Sequence, residues 1–552
     1  MAHIFDSDSD DSEFSGFGSS DIDLPVDESD DSDVSFSDND TPVVISDDAT
    51  WTQDLSPIVM REFTEQSGPQ LEGKVDRATG TPLDYFFILF PLALLQLLVV
   101  HTNAYATFCM TRDGPDSSWA EVTETEMRAF LGINILMGIV QMPTTDMYWS
   151  SDMFFGLRGV QMTMTRNRYC KILRYFHASD RSLEPPRGSD TYDRLFKIRQ
   201  VIDTLLQTFR NSYVLSRDVA VDEAMIGYTG RLSFRQYMLA KPIKRGIKCW
   251  MLCDSRSEYL ANFEVYLGRD GSNVEHGLAY NVVMRLTRFI RNTFRWVFFD
   301  NFFTGLPLVK SLLQNGLYSC GTVRCNRKGF PQQLKKPAAL RQRGDSQVLQ
   351  LGDSNITASV WMDRKPVHHF SSLSDPTEIC DATRRPGQNI LHLQQPHSVS
   401  AYNRSMGGVD LHDQLRAKYP SGRNSKKWWR YLFWFLLDSA IVNSYVLYKE
   451  WSTRETKKRR YTHLDFRREL LKELIGGYRK RKHSDRDYAV DRPALMPVEN
   501  IIGHKNVRLN AKRTTCKYHK TRVGHRSDTV YGCEVCNVHL CKECHVAYHQ
   551  GV

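Results

Sequence analysis

The sequence predicts a mixed α/β core set among helices, followed by a small module built around cysteine and histidine. Three observations carry this expectation. Two short apolar runs, 219–221 and 296–299, read as strands that end in the acids Asp222 and Asp300. Stretches with apolar residues at helical spacing separate and surround them, the pattern of an α/β core. Five of the 12 cysteines crowd into the last 37 residues, at spacings that suit a metal.

The 552 residues give room for several domains, and 41% apolar content supports real cores. Net charge is +8 but unevenly spread. Residues 1–50 hold 16 acids and no Lys or Arg, so the other 502 carry +24. An acidic tail on a basic body points to a polyanionic partner. Residues 1–80, with Asp/Ser repeats around 6–12 and 29–40, have little apolar material and are expected to be disordered. The acidic start does not read as a secretory leader. Residues 86–100 are apolar but interrupted by Pro91 and Gln96, and are too short to span a bilayer. A core helix is expected there, in a soluble intracellular protein with no membrane partner. Cysteines scattered from 109 to 380 are expected to stay reduced.

Residues 81–215 read as mostly helical. Segment 126–140 (EMRAFLGINILMGIV) has helical apolar spacing and stops before Pro143. Segment 164–177 mixes Arg166, Arg168, Lys171 and Arg174 with Tyr169 and Tyr175, which suits either a DNA backbone or a solvated face. Residues 194–209 form a further amphipathic helix. Residues 216–325 alternate strands and helices. A strand ends at Asp222 and Glu223, and Gly227 and Gly230 break it. A second strand at 232–237 follows Arg231 and carries Arg235. Residues 247–254 and 259–267 read as a hairpin, 276–291 as a helix, 306–315 as a helix and 318–324 as a strand. Residues 326–397 interrupt this core with short strand-like runs at 356–361 and 368–372. Segment 406–414 (MGGVDLHDQ) reads as a helix, which puts Asp410 and Asp413 on one face. Segment 426–448 is a long apolar helix with Asp438 and Asn443 inside it, where Trp428 and its aromatic neighbours read first as core. Residues 454–486 hold 13 Lys/Arg against 5 Asp/Glu, with clusters at 457–460 and 479–482 that suit nuclear import or DNA phosphates.

Three carboxylates from two strand ends and a helix suit two-metal phosphoryl transfer, in which one ion activates the attacking oxygen and the other stabilises the leaving one. An oxygen-only ligand set suits Mg²⁺. The segments VDEAMIGYTGRLSFRQYMLAKPIKRGIK, VFFDNFFTGLPL, CGTVRCNRKGFP and YNRSMGGVDLHDQL resemble the catalytic core of piggyBac-type DNA transposases, in the same order. The intervals of 78 residues from Asp222 to Asp300 and 110 from Asp300 to Asp410 agree as well.

The resemblance spans roughly residues 80 to 552 and implies an RNase H-like core with Asp222, Asp300 and Asp410 as the metal-binding triad for Mg²⁺ or Mn²⁺. It places Asp413 as a further acid near the site and Trp428 close to it, and implies an inserted domain at 326–397. Arg231, Arg235, Lys248 and Arg324 are expected to face DNA. The implied domains are 81–215 and 421–500 for helical dimerisation and DNA binding, 216–325 and 398–420 for catalysis, and 513–552 for a finger. The implied activity is cut-and-paste transposition in the nucleus by a homodimer. It acts on double-stranded DNA with terminal inverted repeats, inserts at TTAA and excises precisely. The alternative is a domesticated nuclear DNA-binding protein that no longer cuts.

The tail pairs Cys516 with His519, Cys533 with Cys536, and Cys541 with Cys544, and His549 follows. Thiolates and imidazoles at these spacings suit tetrahedral Zn²⁺. Seven ligands imply two ions and one ligand to find among His525, His539 and His545, of which His545 is preferred for its position before His549. A RING ligase or a chromatin reader shares such a finger. The resemblance implies a cross-brace that joins Cys516 and His519 to Cys541 and Cys544, and Cys533 and Cys536 to the histidines.

Overall fold

The structure is a computed structural model. It describes residues 50–57, 60–152, 154–239, 241–268, 277–336, 340–384, 390–454, 461–478, 506–509, 513–520 and 527–550. The acidic stretch 1–49, the basic runs 457–460 and 479–482, and His525 lie outside them. The chain forms two compact units, Met1–Arg479 and Lys480–Val552.

One mixed sheet runs through the first unit. At its centre Asp218–Gly227 pairs antiparallel with Arg245–Asp254, which pairs in turn with Leu260–Val265. On its other side Asp218–Gly227 pairs parallel with Trp296–Phe299, which pairs parallel with Tyr318–Thr322. The parallel strand WVFF is buried at all four positions, as a strand covered on both faces must be. Alternation sorts its side chains: Val297 and Phe299 enter one apolar cluster, Trp296 and Phe298 another. The helices Leu278–Leu286 and Leu306–Gln314 supply the crossovers that parallel strands need.

Several expectations change in detail. The expected strand at 232–237 shrinks to Gln236–Tyr237. There Arg235 Nη1 donates to the carbonyls of Thr229 and Gly230 at 2.8 and 2.7 Å, so the side chain holds a loop instead of lying on a ladder. The segment 326–397 does not stand apart from the core. Pro366–Ser371 pairs with Tyr318–Thr322, and Thr357–Met362 and Ser346–Leu351 continue the same sheet outward. Of residues 1–80, expected to be disordered, the described residues 50–57 and 60–80 are ordered against the core. Trp51–Thr52 pairs with Ser346–Leu351, Leu71 is fully buried, and Glu65 meets Arg295 at 2.6 Å. A few apolar anchors and one buried cation suffice to order a polar stretch.

The helices come from both sides of the sheet segment. Glu124–Ile139 packs on His463–Ile475, where Gly132 lies against Ile475. Pro91 splits the 86–100 stretch into Pro82–Leu89 and Leu92–Asp113. Among the described residues two helices, Leu92–Asp113 and Trp428–Trp451, are long and apolar enough to cross a membrane, and the second buries 89% of its most apolar window within the protein. Asp438 and Asn443, the two polar residues noted inside Trp428–Trp451, both find partners. Asp438 accepts from Ser421 Oγ at 2.7 Å and Arg467 Nη2 at 3.0 Å. Asn443 bonds the N–H and the carbonyl of Leu260 at 2.9 and 2.8 Å, docking the helix on the sheet edge. In Arg166–Tyr175, Arg166, Arg168 and Lys171 pair with Asp146, Glu126 and Asp116, so much of this basic face is used internally.

Candidate functional site

Register brings the first two acids together. Val221 lies opposite Phe299 in the parallel ladder, so Asp222 comes beside Asp300, the residue that follows the shorter strand. Contrary to expectation the longer strand does not end at Asp222 but runs on to Gly227, because residues 222–227 still pair with Arg245–Asp254. Asp222 shares its face with Ala220 by alternation. That face is covered by the helix Gly408–Ala417, whose first residue sits so close that a Cβ at 408 would lie 3.4 Å from Ala220 Cβ and 3.1 Å from the Asp254 carbonyl. Glycine at 408 is thus what lets the helix carrying Asp410 lie down on the strand carrying Asp222. His412 fixes it from below: its ring is buried and Nδ1 lies 2.9 Å from the carbonyl of Glu258.

The electrostatics are those of a negative pocket with too few cations. Burial pushes the Asp222 carboxyl up to about 7, helped by Glu223 and Asp300 and opposed by Lys241 and the Glu223 N–H. Burial also raises Asp300, against a 2.9 Å bond from the Phe302 N–H. Asp410 is exposed on its helix. The three carboxylates do not form a tight cage. Among the described residues, the groups of ligand atoms within 4.8 Å of one another lie elsewhere.

Lys241 was not singled out by the sequence, yet it is the cation at the centre. Its Nζ meets Glu223 Oε1 at 3.3 Å and the Glu223 carbonyl at 3.2 Å. Burial opposes its charge, but Asp222, Glu223 and Asp410 outweigh that and raise its pKa. Arg327 is a second such residue. It donates to the carbonyls of Asn301 and Phe302 at 2.8 Å, just past Asp300. Neither has a periodic signal, because both sit in connections whose role depends on what they fold against.

The remaining expected residues divide. Arg231 and Arg324 are exposed, and Arg324 Nε is 3.4 Å from Asn301 Oδ1. Arg235 is exposed beyond its turn-holding bonds. Trp428 is half-buried and packs edge-on against Phe234, ring centroids 5.3 Å apart. Lys248 differs from expectation. It is 8% exposed, 3.6 Å from Glu223 and 3.6 Å over the Trp250 ring, so its charge is spent inside and not on DNA. Asp413 is also committed, to Arg416 Nη2 at 2.6 Å, while Arg416 stacks over Phe435.

In the second unit two sets of ligand atoms converge. Cys516, His519, Cys541 and Cys544 form one, and Cys533, Cys536 and His549 the other. This is the interleaved arrangement implied by the resemblance. His545 is not within the second set. Its carbonyl accepts from His549 Nδ1 at 2.7 Å, and the two rings lie 4.5 Å apart. His539 lies in the strand Val538–His539.

Comparison with known proteins decides the family. A family model described as transposase IS4 matches residues 81–445, about two thirds of the chain. The chain belongs to the piggyBac-type transposases of this family. It is 27% identical to the human piggyBac transposable element-derived protein 5 over 443 residues, covering 78% of this chain and 81% of that one. It is 27% identical to the human piggyBac transposable element-derived protein 3 over 497 residues, covering 86% and 78%. Among solved structures it is similar to a piggyBac transposase synaptic complex with hairpin DNA. The TM-score is 0.67 at 25% identity, over 87% of this chain and 98% of that one.

Proposed function

We propose that this piggyBac-family chain cleaves and rejoins DNA strands, with Asp222, Asp300 and Asp410 as its metal-binding carboxylates. The observation that carries this is the register that sets Asp222, within one strand, beside Asp300, at the end of the adjacent parallel strand, beneath the helix of Asp410. The donor set fits a hard divalent cation. It is all oxygen, and Asp222 is raised first by burial and then by its acidic neighbours, which a bound cation would offset. Bound Mg²⁺ or Mn²⁺ would activate the attacking oxygen and stabilise the leaving one. A spread of carboxylates wider than a single-ion cage suits a pair of ions about 4 Å apart.

The chain's own residues complete the site. Lys241 offsets part of the carboxylate charge and holds the loop over Glu223. Arg324 and Arg327 stand beside Asp300, where a substrate phosphate would pass. Arg231 and Arg235 extend the exposed basic surface, and Trp428 closes the loop side. The substrate is double-stranded DNA. Water attack at an element end releases a 3′-hydroxyl, which attacks further phosphodiesters. Inverted-repeat ends, TTAA insertion with precise excision, a homodimer and nuclear location complete the reading. Segment 326–397 would be an inserted domain that shares the core sheet. In the tail, Cys516, His519, Cys541 and Cys544 would hold one Zn²⁺, and Cys533, Cys536 and His549 a second, which His545 would complete by turning its ring toward them. Such closed Cys/His sets are structural, so end recognition is the finger's role.

The second reading is a domesticated DNA-binding protein, favoured by the two human element-derived relatives. A plasmid excision assay with candidate element ends separates the two. Divalent-dependent excision that vanishes in Asp300→Asn supports the transposase. Specific DNA binding with no cleavage under any divalent ion supports the domesticated protein.

A further inference from the structure

A third cluster of ligand atoms lies outside both sites. Ile379–Arg384 and Leu391–Pro396 form a two-stranded antiparallel ribbon in which Ile379 faces Pro396 and Cys380 faces Gln395. The pairing runs one step further, since the His397 N–H donates to the Glu378 carbonyl at 2.9 Å. Glu378 and His397 therefore face each other across the ribbon's end. Cys380, two residues on from Glu378, falls on the same face by alternation. The ligand atoms of the three lie within 4.8 Å of one another. The His397 Nδ1 is buried and makes no hydrogen bond, at 3.6 Å from the Glu378 carboxylate.

We propose that Glu378, Cys380 and His397 bind a divalent transition-metal ion, with zinc the best chemical fit. Thiolate, imidazole and carboxylate are the three donor types zinc takes, and three protein ligands leave one tetrahedral position for water. A magnesium or calcium site has no use for sulfur. The imidazole is already oriented: its ring stands edge-on to Trp296, centroids 6.2 Å apart, and Arg217 lies 3.6 Å over that same indole. Trp296 opens the strand that ends at Asp300. His397 opens the helix His397–Ser405, which leads within three residues to the helix of Asp410. An ion here clips the ribbon to the start of the strand that leads into Asp300 and of the helix that precedes the one carrying Asp410.

The test is metal content by difference, on the full-length chain and so independent of how many ions the tail holds. Parent, Cys380→Ser, His397→Gln and Glu378→Gln are loaded with zinc, freed of excess and assayed by elemental analysis. Circular dichroism confirms that each variant is folded. Parent is expected to hold one zinc per chain more than Cys380→Ser and His397→Gln, while Glu378→Gln loses its ion at a lower chelator concentration. After exchange to cobalt, the thiolate charge-transfer absorption should fall by one thiolate's share in Cys380→Ser. If Cys380→Ser misfolds, the two Gln variants decide, since Glu378 is exposed and His397 only half-buried. Equal zinc content and equal chelator sensitivity in parent and both Gln variants would overturn the proposal.

Discussion

The carboxylate site and the C-terminal Cys/His module gather their ligands in opposite ways. Asp222, Asp300 and Asp410 are brought together across 188 residues by a sheet and a helix that are packed without them. In the C-terminal unit the buried cluster consists of Cys516, Cys533, Cys544 and Leu540, so three of its four members are candidate ligands. The first is a site that a fold carries. The second is a fold that its site carries, because so small a segment has almost nothing else to bury.

The largest expected difference is in response to chelation. Removing tightly bound zinc should unfold residues 506–550, seen as loss of hydrogen-exchange protection there, while the main thermal transition of the core stays in place. Cys533→Ser should do the same without chelator. A core transition that moves together with the tail would erase the distinction.

Next in size is cleavage. Asparagine at 222, 300 or 410 should lower divalent-dependent strand cleavage by more than the roughly 10- to 100-fold typical of losing a residue that only supports a ligand. Each variant should melt as the parent does, or higher. Persistence of cleavage in Asp410→Asn would remove the exposed acid from the site.

Lys241→Met and Asp413→Asn test the supporting residues. Lys241→Met should cost about 10- to 100-fold in cleavage and raise the divalent concentration required. Asp413→Asn should act chiefly on stability, since it strands Arg416, which is 8% exposed.

The smallest effect is on stability against pH. Asp222 has its folded pKa raised from 3.8 to about 7, so the native state binds that proton more tightly than the unfolded chain. Metal-free stability should therefore fall as pH rises across that interval and level off above it. Added Mg²⁺ should reverse the fall, and Asp222→Asn should reduce the slope, leaving the smaller part from Asp300. A stability that rises between these limits would contradict the picture of a cation-deficient pocket.

Most of this contrast is legible in the sequence, because both regions write their chemistry locally. An apolar run that ends in Asp, and Cys or His at short intervals, need only near neighbours to be recognised. What is not legible depends on distant partners. Lys248 looks like a surface cation until Glu223 and Trp250 enclose it. Lys241 looks like a loop residue until three acids surround it. The strands after 345 look like a separate insertion until Ser371 is found opposite Cys320. Residues 50–80 look too polar to order until Trp51 stacks on Phe370.

The pairing of Val221 with Phe299 reaches beyond the site itself. Successive residues on a strand point to opposite faces, so sliding one strand by a single position would exchange Asp222 for Val221 or Glu223 beside Asp300. The length of the connections between elements carries no such constraint, because lengthening a connection costs little. A single residue added inside Asp218–Gly227 would disarm the site while leaving the composition of the core almost untouched. For anyone grafting cargo onto this chain, ladder position and not chain length is the quantity to protect.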